Sequence, residues 1–137
     1  LRRQWLAAGD MTLAPGEPFT LVWRNDELTD PPGTRPDGFG AEHSLDCRIV
    51  QADAPRVLTF SWGAQAEVEI TLEPRGEEVL LTLTHRRLAD RAQSLMVGAG
   101  WHAHLDILVA KASGKPARPF WESWVKLRRE YEERVPA

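Results

Sequence analysis

Ala66-Glu67-Val68-Glu69-Ile70-Thr71-Leu72-Glu73 alternates apolar and polar residues almost without error, and Pro74-Arg75-Gly76-Glu77 then turns the chain. Successive side chains of an extended strand point to opposite faces, so Val68, Ile70 and Leu72 share one face and Glu67, Glu69 and Thr71 the other. The next run repeats the pattern, with Val79, Leu81, Leu83 and His85 opposite Thr82 and Thr84. Upstream, Arg56 to Trp62 sets Leu58, Phe60 and Trp62 against Thr59 and Ser61. Ser44 to Gln51 groups Leu45, Cys47 and Ile49, and Phe19 to Asn25 groups Phe19, Leu21 and Trp23. Turn residues such as Asp53-Ala54-Pro55 and Gly63 bound these runs. Short connections and one polar face per strand predict an antiparallel meander of five strands, solvated on one side. The apolar side requires a cover.

Downstream the apolar period lengthens from two residues to between three and four. From Arg91 to Ser113, Val97, Trp101, Leu105, Leu108 and Ala112 recur at helical spacing, and Gly114-Lys115-Pro116 ends the run. Such a helix is about 30 Å long, enough to cross the sheet. Pro119 to Glu133, with Phe120, Trp121, Trp124, Leu127 and Tyr131 among charges, reads as a second amphipathic helix. At the other end, Leu1 to Ala8 carries Leu1, Trp5 and Leu6 on one side and reads as the tail of a helix stopped by Gly9-Asp10. Asp26 to Gly40 holds three prolines, three glycines and several acids. That composition favours turns over packing and predicts a long mobile loop over residues 26–40, near a pocket mouth.

The chain of 137 residues is long enough to bury one core without disulfides or metal, so residues 1–137 are expected to form a single domain. Charged residues make up 27% and apolar ones 42%, which excludes intrinsic disorder. The net charge of −3 is interleaved along the chain, leaving no basic surface for nucleic acid. A single cysteine, Cys47, excludes an internal disulfide and a zinc ribbon and points to the cytoplasm. No apolar run approaches the roughly 18 residues a spanning helix needs, so no membrane partner is expected. The chain begins without Met, inside what reads as a helix, and is expected to be a segment of a longer protein.

Three stretches carry a resemblance: Val57-Leu58-Thr59-Phe60-Ser61-Trp62 with Glu67 to Pro74; Leu81-Thr82-Leu83-Thr84-His85; and Gly100-Trp101-His102-Ala103-His104-Leu105-Asp106. In order and spacing they resemble the activator-of-heat-shock-ATPase-homologue (AHSA) branch of the START-like, or SRPBCC, superfamily, from about Trp5 to Ala112. The resemblance implies an α+β helix-grip fold, a curved antiparallel sheet wrapped around the long C-terminal helix with a cavity between them. Members of the superfamily are binding proteins, chaperone activators or, in related branches, cyclases and hydrolases. The family begins with an additional strand and helix, of which only the helix end stands here, so the domain is expected to lack its N-terminal strand and to leave a sheet edge unpaired.

His102 and His104 stand two apart and point about 200° from each other on a helix, which does not suit one metal. Neither metal nor cofactor is expected. His102 and Asp106 are four apart and read as a surface pair. His85 shares the inward face with Leu81 and Leu83, as a hydrogen-bonded core histidine or, with a helix residue such as His104, as half of an acid–base pair. Gly98-Ala99-Gly100 reads as close packing, and Cys47 as a small core residue rather than a nucleophile. Trp23, Phe60, Trp62, Leu83, His85, Trp101 and Leu105 fall on predicted inward positions, and either fill a core or line a pocket. The resemblance favours the pocket, hence a binding module for a small apolar or aromatic molecule. The alternatives are a chaperone-associated interaction domain and a cyclase- or hydrolase-type enzyme using His85. Trp5, Trp121 and Trp124 read as packing residues. The aromatic second helix and the sheet edge also suggest a homodimer.

Overall fold

Each alternating run is a strand, and the two runs of helical period are helices. The computed structural model describes residues 2–136. After a 3-10 turn at Arg2–Gln4 come β1 (Pro18–Trp23), a second 3-10 turn at Asn25–Glu27, β2 (His43–Asp53), β3 (Val57–Trp62), β4 (Ala66–Arg75) and β5 (Glu78–Arg86). Two helices follow, α1 (Arg91–Ala112) and α2 (Phe120–Arg134). The chain forms two compact units, one built from Gly9–Leu21 and Ser44–Ala89, the other from the N-terminal residues to Ala8, Val22–His43 and everything from Asp90 onward.

The sheet unit follows sequence order, β1-β2-β3-β4-β5. Its antiparallel register pairs Phe60 with Val68 and Val68 with His85, Leu58 with Ile70 and Ile70 with Leu83, and Trp62 with Ala66. Because directly paired residues lie on the same face, Leu58, Phe60, Trp62, Val68, Ile70, Leu83 and His85 share one side. β2 carries an irregularity between Ile49 and Gln51, where one residue fails to pair. Gly76, at φ +65°, opens the two-residue turn between Arg75 and Glu78, as hairpin geometry requires.

The opposite face is held by charge and hydroxyl groups. Arg86 reaches Glu67 at 3.5 Å and Glu69 at 3.4 Å, Arg87 reaches Glu67 at 3.7 Å, and the Thr20 hydroxyl donates to Asp46 at 2.8 Å.

The segment expected to be a helix tail is a 3-10 turn at Arg2–Gln4 continued by Trp5 and Leu6, whose amides both bond the Arg2 carbonyl. Ala8 exchanges backbone hydrogen bonds with Val22, at 2.8 and 3.0 Å. Gly9 therefore does not cap a helix. It sits at φ +121°, where a Cβ atom would lie 2.0 Å from the Thr20 carbonyl oxygen. Glycine is required because the segment runs too close to the β1 backbone for any side chain.

In the helical unit, the Asp90 carboxylate caps α1 by accepting from the Gln93 amide at 2.8 Å. Ala99, Ala103 and Ile107, spaced four apart on α1, pack with Phe120, Trp121 and Leu127 of α2 and with Leu28. Trp5 and Trp124 pack against the same cluster, in keeping with their expected packing role, and Tyr131 joins them. Gly98 and Gly100 keep the α1 surface low under this seam, where a Cβ would stand 3.5 Å from the Tyr131 ring and 3.9 Å from the Trp124 indole nitrogen.

Residues 26–40 pack more closely than their composition suggests. The Thr29 hydroxyl accepts from the Phe120 amide at 2.9 Å, and the Pro32 carbonyl accepts from the Trp121 amide at 3.0 Å. The Trp121 indole donates to Asp26 at 2.7 Å, and Arg35 pairs with the same carboxylate. The Phe39 ring meets Trp121 and Trp124 at 5.3 and 5.0 Å. Pro119, at the start of α2, has no side-chain cap to offer, so the loop supplies the acceptors that the helix's first amides need.

Candidate functional site

Four of the seven residues expected to line a pocket belong to the sheet unit, and the register brings them to one face. Phe60 is buried, its ring meeting the Phe19 edge at 5.5 Å. Leu83, Trp62 and His85 are each half-buried. Trp62 and His85 stand on β3 and β5 with β4 between them, and their rings meet edge to face at 4.8 Å. Burial holds the His85 imidazole down at about 4, against an ordinary 6.5, so the ring is neutral at physiological pH. A neutral imidazole can accept a hydrogen bond, and this one lies beside an indole on an otherwise apolar face.

That face continues past His85 toward the β4–β5 hairpin. A groove of about 220 Å³ runs there, lined by Leu13, Ala52, Val57, Leu58, Ile70 and Leu72 among others. Leu72 is 37% exposed and Val79 61%, so the outer half of the apolar face remains accessible.

The other three residues lie in the helical unit. Trp23 and Trp101 are buried and Leu105 is half-buried. Trp23 stacks on His43 at 5.6 Å. His104 is buried on α1, and its Nδ1–H donates to the Trp5 carbonyl at 2.8 Å. Its ring packs 4.8 Å from Phe120. Burial lowers its pKa to about 4 despite the opposing effect of the Trp5 hydrogen bond. This imidazole therefore anchors the N-terminal segment to α1 and α2 as a neutral donor.

His102 behaves as the surface pair its spacing predicts. Its Nε2 lies 3.7 Å from an exposed Asp106 carboxylate, while its Nδ1 contacts the Tyr131 hydroxyl at 3.0 Å. Both His102 and Asp106 border a cleft of about 500 Å³ between the two helices, whose rim also carries Lys115, Arg118, Lys126 and Glu130. The sequence reading did not find this cleft, because it depends on the angle between the two helices and not on a motif.

Cys47 is buried, and burial, with the neighbouring Asp46 carboxylate, pushes its thiol up to about 12, far from a nucleophile's range. Among the described residues no three His, Cys, Asp or Glu side chains come together in a group able to hold a metal ion. No described helix is long and apolar enough to cross a membrane.

An antiparallel meander followed by a long helix, with an apolar sheet face carrying aromatic residues, defines an α+β protein of the START-like, helix-grip class. The family model for activator of Hsp90 ATPase homolog 1-like proteins matches residues 1–112, and the chain belongs to that family. A solution structure of a protein from Bordetella parapertussis is 37% identical, with a TM-score of 0.81 over 99% of this chain and 74% of its own. CalU16 from Micromonospora echinospora, 24% identical, has a TM-score of 0.68 over 98% of this chain and 73% of its own. An AHSA1-like protein from Aeromonas hydrophila, 17% identical, scores 0.56 over 81% and 71%. The last two likenesses concern fold alone. None of the curated proteins compared matches the chain.

Proposed function

We propose that the protein binds a small, mainly apolar or aromatic molecule against the apolar face of its sheet, with Phe60, Trp62, Leu83 and His85 as the wall. The observation that carries this reading is the Trp62–His85 pair, two half-buried rings in contact at 4.8 Å on an apolar face. Apolar binding sites work this way, with broad apolar contact for affinity and one polar group for orientation. The single buried thiol suits a reducing compartment, and the cytoplasm is proposed as the place of action. Native mass spectrometry of protein purified from its own host tests the reading. A co-purifying small molecule that is lost in Trp62→Ala supports it, and bare protein under conditions that preserve weak complexes speaks against it.

A second reading follows from the β4–β5 hairpin, whose Leu72, Val79 and Leu80 are exposed. In a family described by activation of the Hsp90 ATPase, these residues support a chaperone-associated role. Binding of purified Hsp90 that weakens in Val79→Ser would favour it. Binding that ignores this substitution would not.

A further inference from the structure

The cleft between α1 and α2 is built within one stretch of chain, since every residue lining it lies between His102 and Glu130 in the helical unit. The N-terminal segment joins α1 on another side. Its Trp5 carbonyl is held by His104, which points about 200° away from the cleft residue Asp106 two positions later. One wall of the cleft is α2, which with the linker before it lies beyond the residues 1–112 that the family model matches. The shared family fold does not by itself supply this cleft.

Its volume of about 500 Å³ is that of a small-molecule site. The depth is apolar, formed by Ala103, Ile107, Phe120 and Leu127 of the buried seam. The rim is charged, and unevenly so. Lys115 and Arg118 stand on the linker and Lys126 on α2, all three exposed. Among the described residues none of these cations pairs with an acid. The carboxylates of the rim lie away from the linker. Glu130 is one turn beyond Lys126 and adjoins Tyr131, whose hydroxyl meets His102 at 3.0 Å, and Asp106 lies 3.7 Å from the same imidazole. An apolar trough thus has uncompensated positive charge toward one end and negative charge toward the other.

We infer that this cleft binds a small amphipathic carboxylate, its apolar chain along Ile107, Phe120 and Leu127 and its anionic end at Lys115, Arg118 and Lys126. Ammonium and guanidinium groups donate charge-assisted hydrogen bonds to a carboxylate, and their stems extend the apolar wall toward its chain. Glu130 and Asp106 repel the reversed orientation. The inference is independent of the sheet-face reading, because it uses other residues and requires a charged ligand.

The test is a titration of the isotope-labelled full chain with sodium decanoate, below its micelle-forming concentration, followed by nuclear magnetic resonance. Decanoate should shift the signals of Ile107, Ala110, Ser123 and Leu127 along one saturating curve. Decyltrimethylammonium, with the same tail and the opposite charge, should bind at least about tenfold more weakly. Arg118→Glu combined with Lys126→Glu alters only exposed side chains and should weaken decanoate binding about tenfold or more, with the circular dichroism spectrum unchanged. Ala110→Trp, which fills the cleft from its half-buried α1 wall, should abolish the shifts. Equal binding of the two detergents overturns the inference. So does decanoate binding indifferent to the double charge reversal, or the lack of any saturable shift at the cleft.

Discussion

At His104, proton linkage turns a buried contact into a measurable slope. The folded ring is neutral, with its pKa near 4, whereas the unfolded chain binds a proton near 6.5. Between those values the unfolded state holds more protons, so stability is complete above about pH 6.5 and falls as the pH drops toward 4. One such histidine contributes a slope of at most about 1.4 kcal/mol per pH unit. His85 adds to the fall in the same window, less strongly because it is only half-buried. His104→Gln keeps a donor for the Trp5 carbonyl without titrating. Urea melts at pH 7 and pH 5 should therefore differ less for this variant than for the wild type. Gly9 is the position least tolerant of change in the N-terminal segment, since both its φ of +121° and the Thr20 carbonyl forbid a side chain. Gly9→Ala is expected to cost at least about 2 kcal/mol in the same assay.

The elements show which parts of the sequence were legible. Strand parity could be read directly, because Glu67, Glu69 and Thr71 stand between Val68, Ile70 and Leu72 and only one pleated arrangement separates them. The long helix was equally plain in extent, but its packing with α2 was not. Its seam is Ala99, Ala103 and Ile107, and two alanines give a weak apolar signal beside Trp101 and Leu105. Trp5 and Leu6 read as part of a helical stripe because they do close a helical turn, but the chain leaves that turn by Ala8, which bridges to Val22. The contacts of residues 26–40 were hidden for a similar reason. Asp26 and Trp121 are 95 residues apart, and no local pattern announces their hydrogen bond.

Three element-level outcomes follow. Gly98→Ala and Gly100→Ala place a methyl at ordinary contact distance within a helix, so each should stabilise by about 0.5–1 kcal/mol in thermal or urea melts. Thr29→Ala removes the acceptor for the first amide of α2 and should destabilise by about 1 kcal/mol. We propose that the loop opens from α2 as a unit. Hydrogen exchange of the Phe120 and Trp121 amides should then accelerate in Thr29→Ala, and exchange unchanged from the wild type would refute the coupling.

For the molecule as a whole, the candidate site was legible where it depends on strand parity, since register brings Phe60, Trp62, Leu83 and His85 to one face. Ring contact between Trp62 and His85 was not, because it reaches across β4 and depends on strand twist and rotamer. The central claim is that this face binds a small aromatic molecule. Its most direct test is a titration of isotope-labelled protein with 1-naphthol, followed residue by residue by nuclear magnetic resonance. Binding should shift the signals of Phe60, Leu83 and His85 and the indole N–H of Trp62 together along one saturating curve. His85→Gln should preserve that binding while changing the preference between naphthol and naphthalene, and Trp62→Ala should weaken it. Shifts confined to the cleft between α1 and α2, or no saturable shift on β3 and β5, would contradict the account.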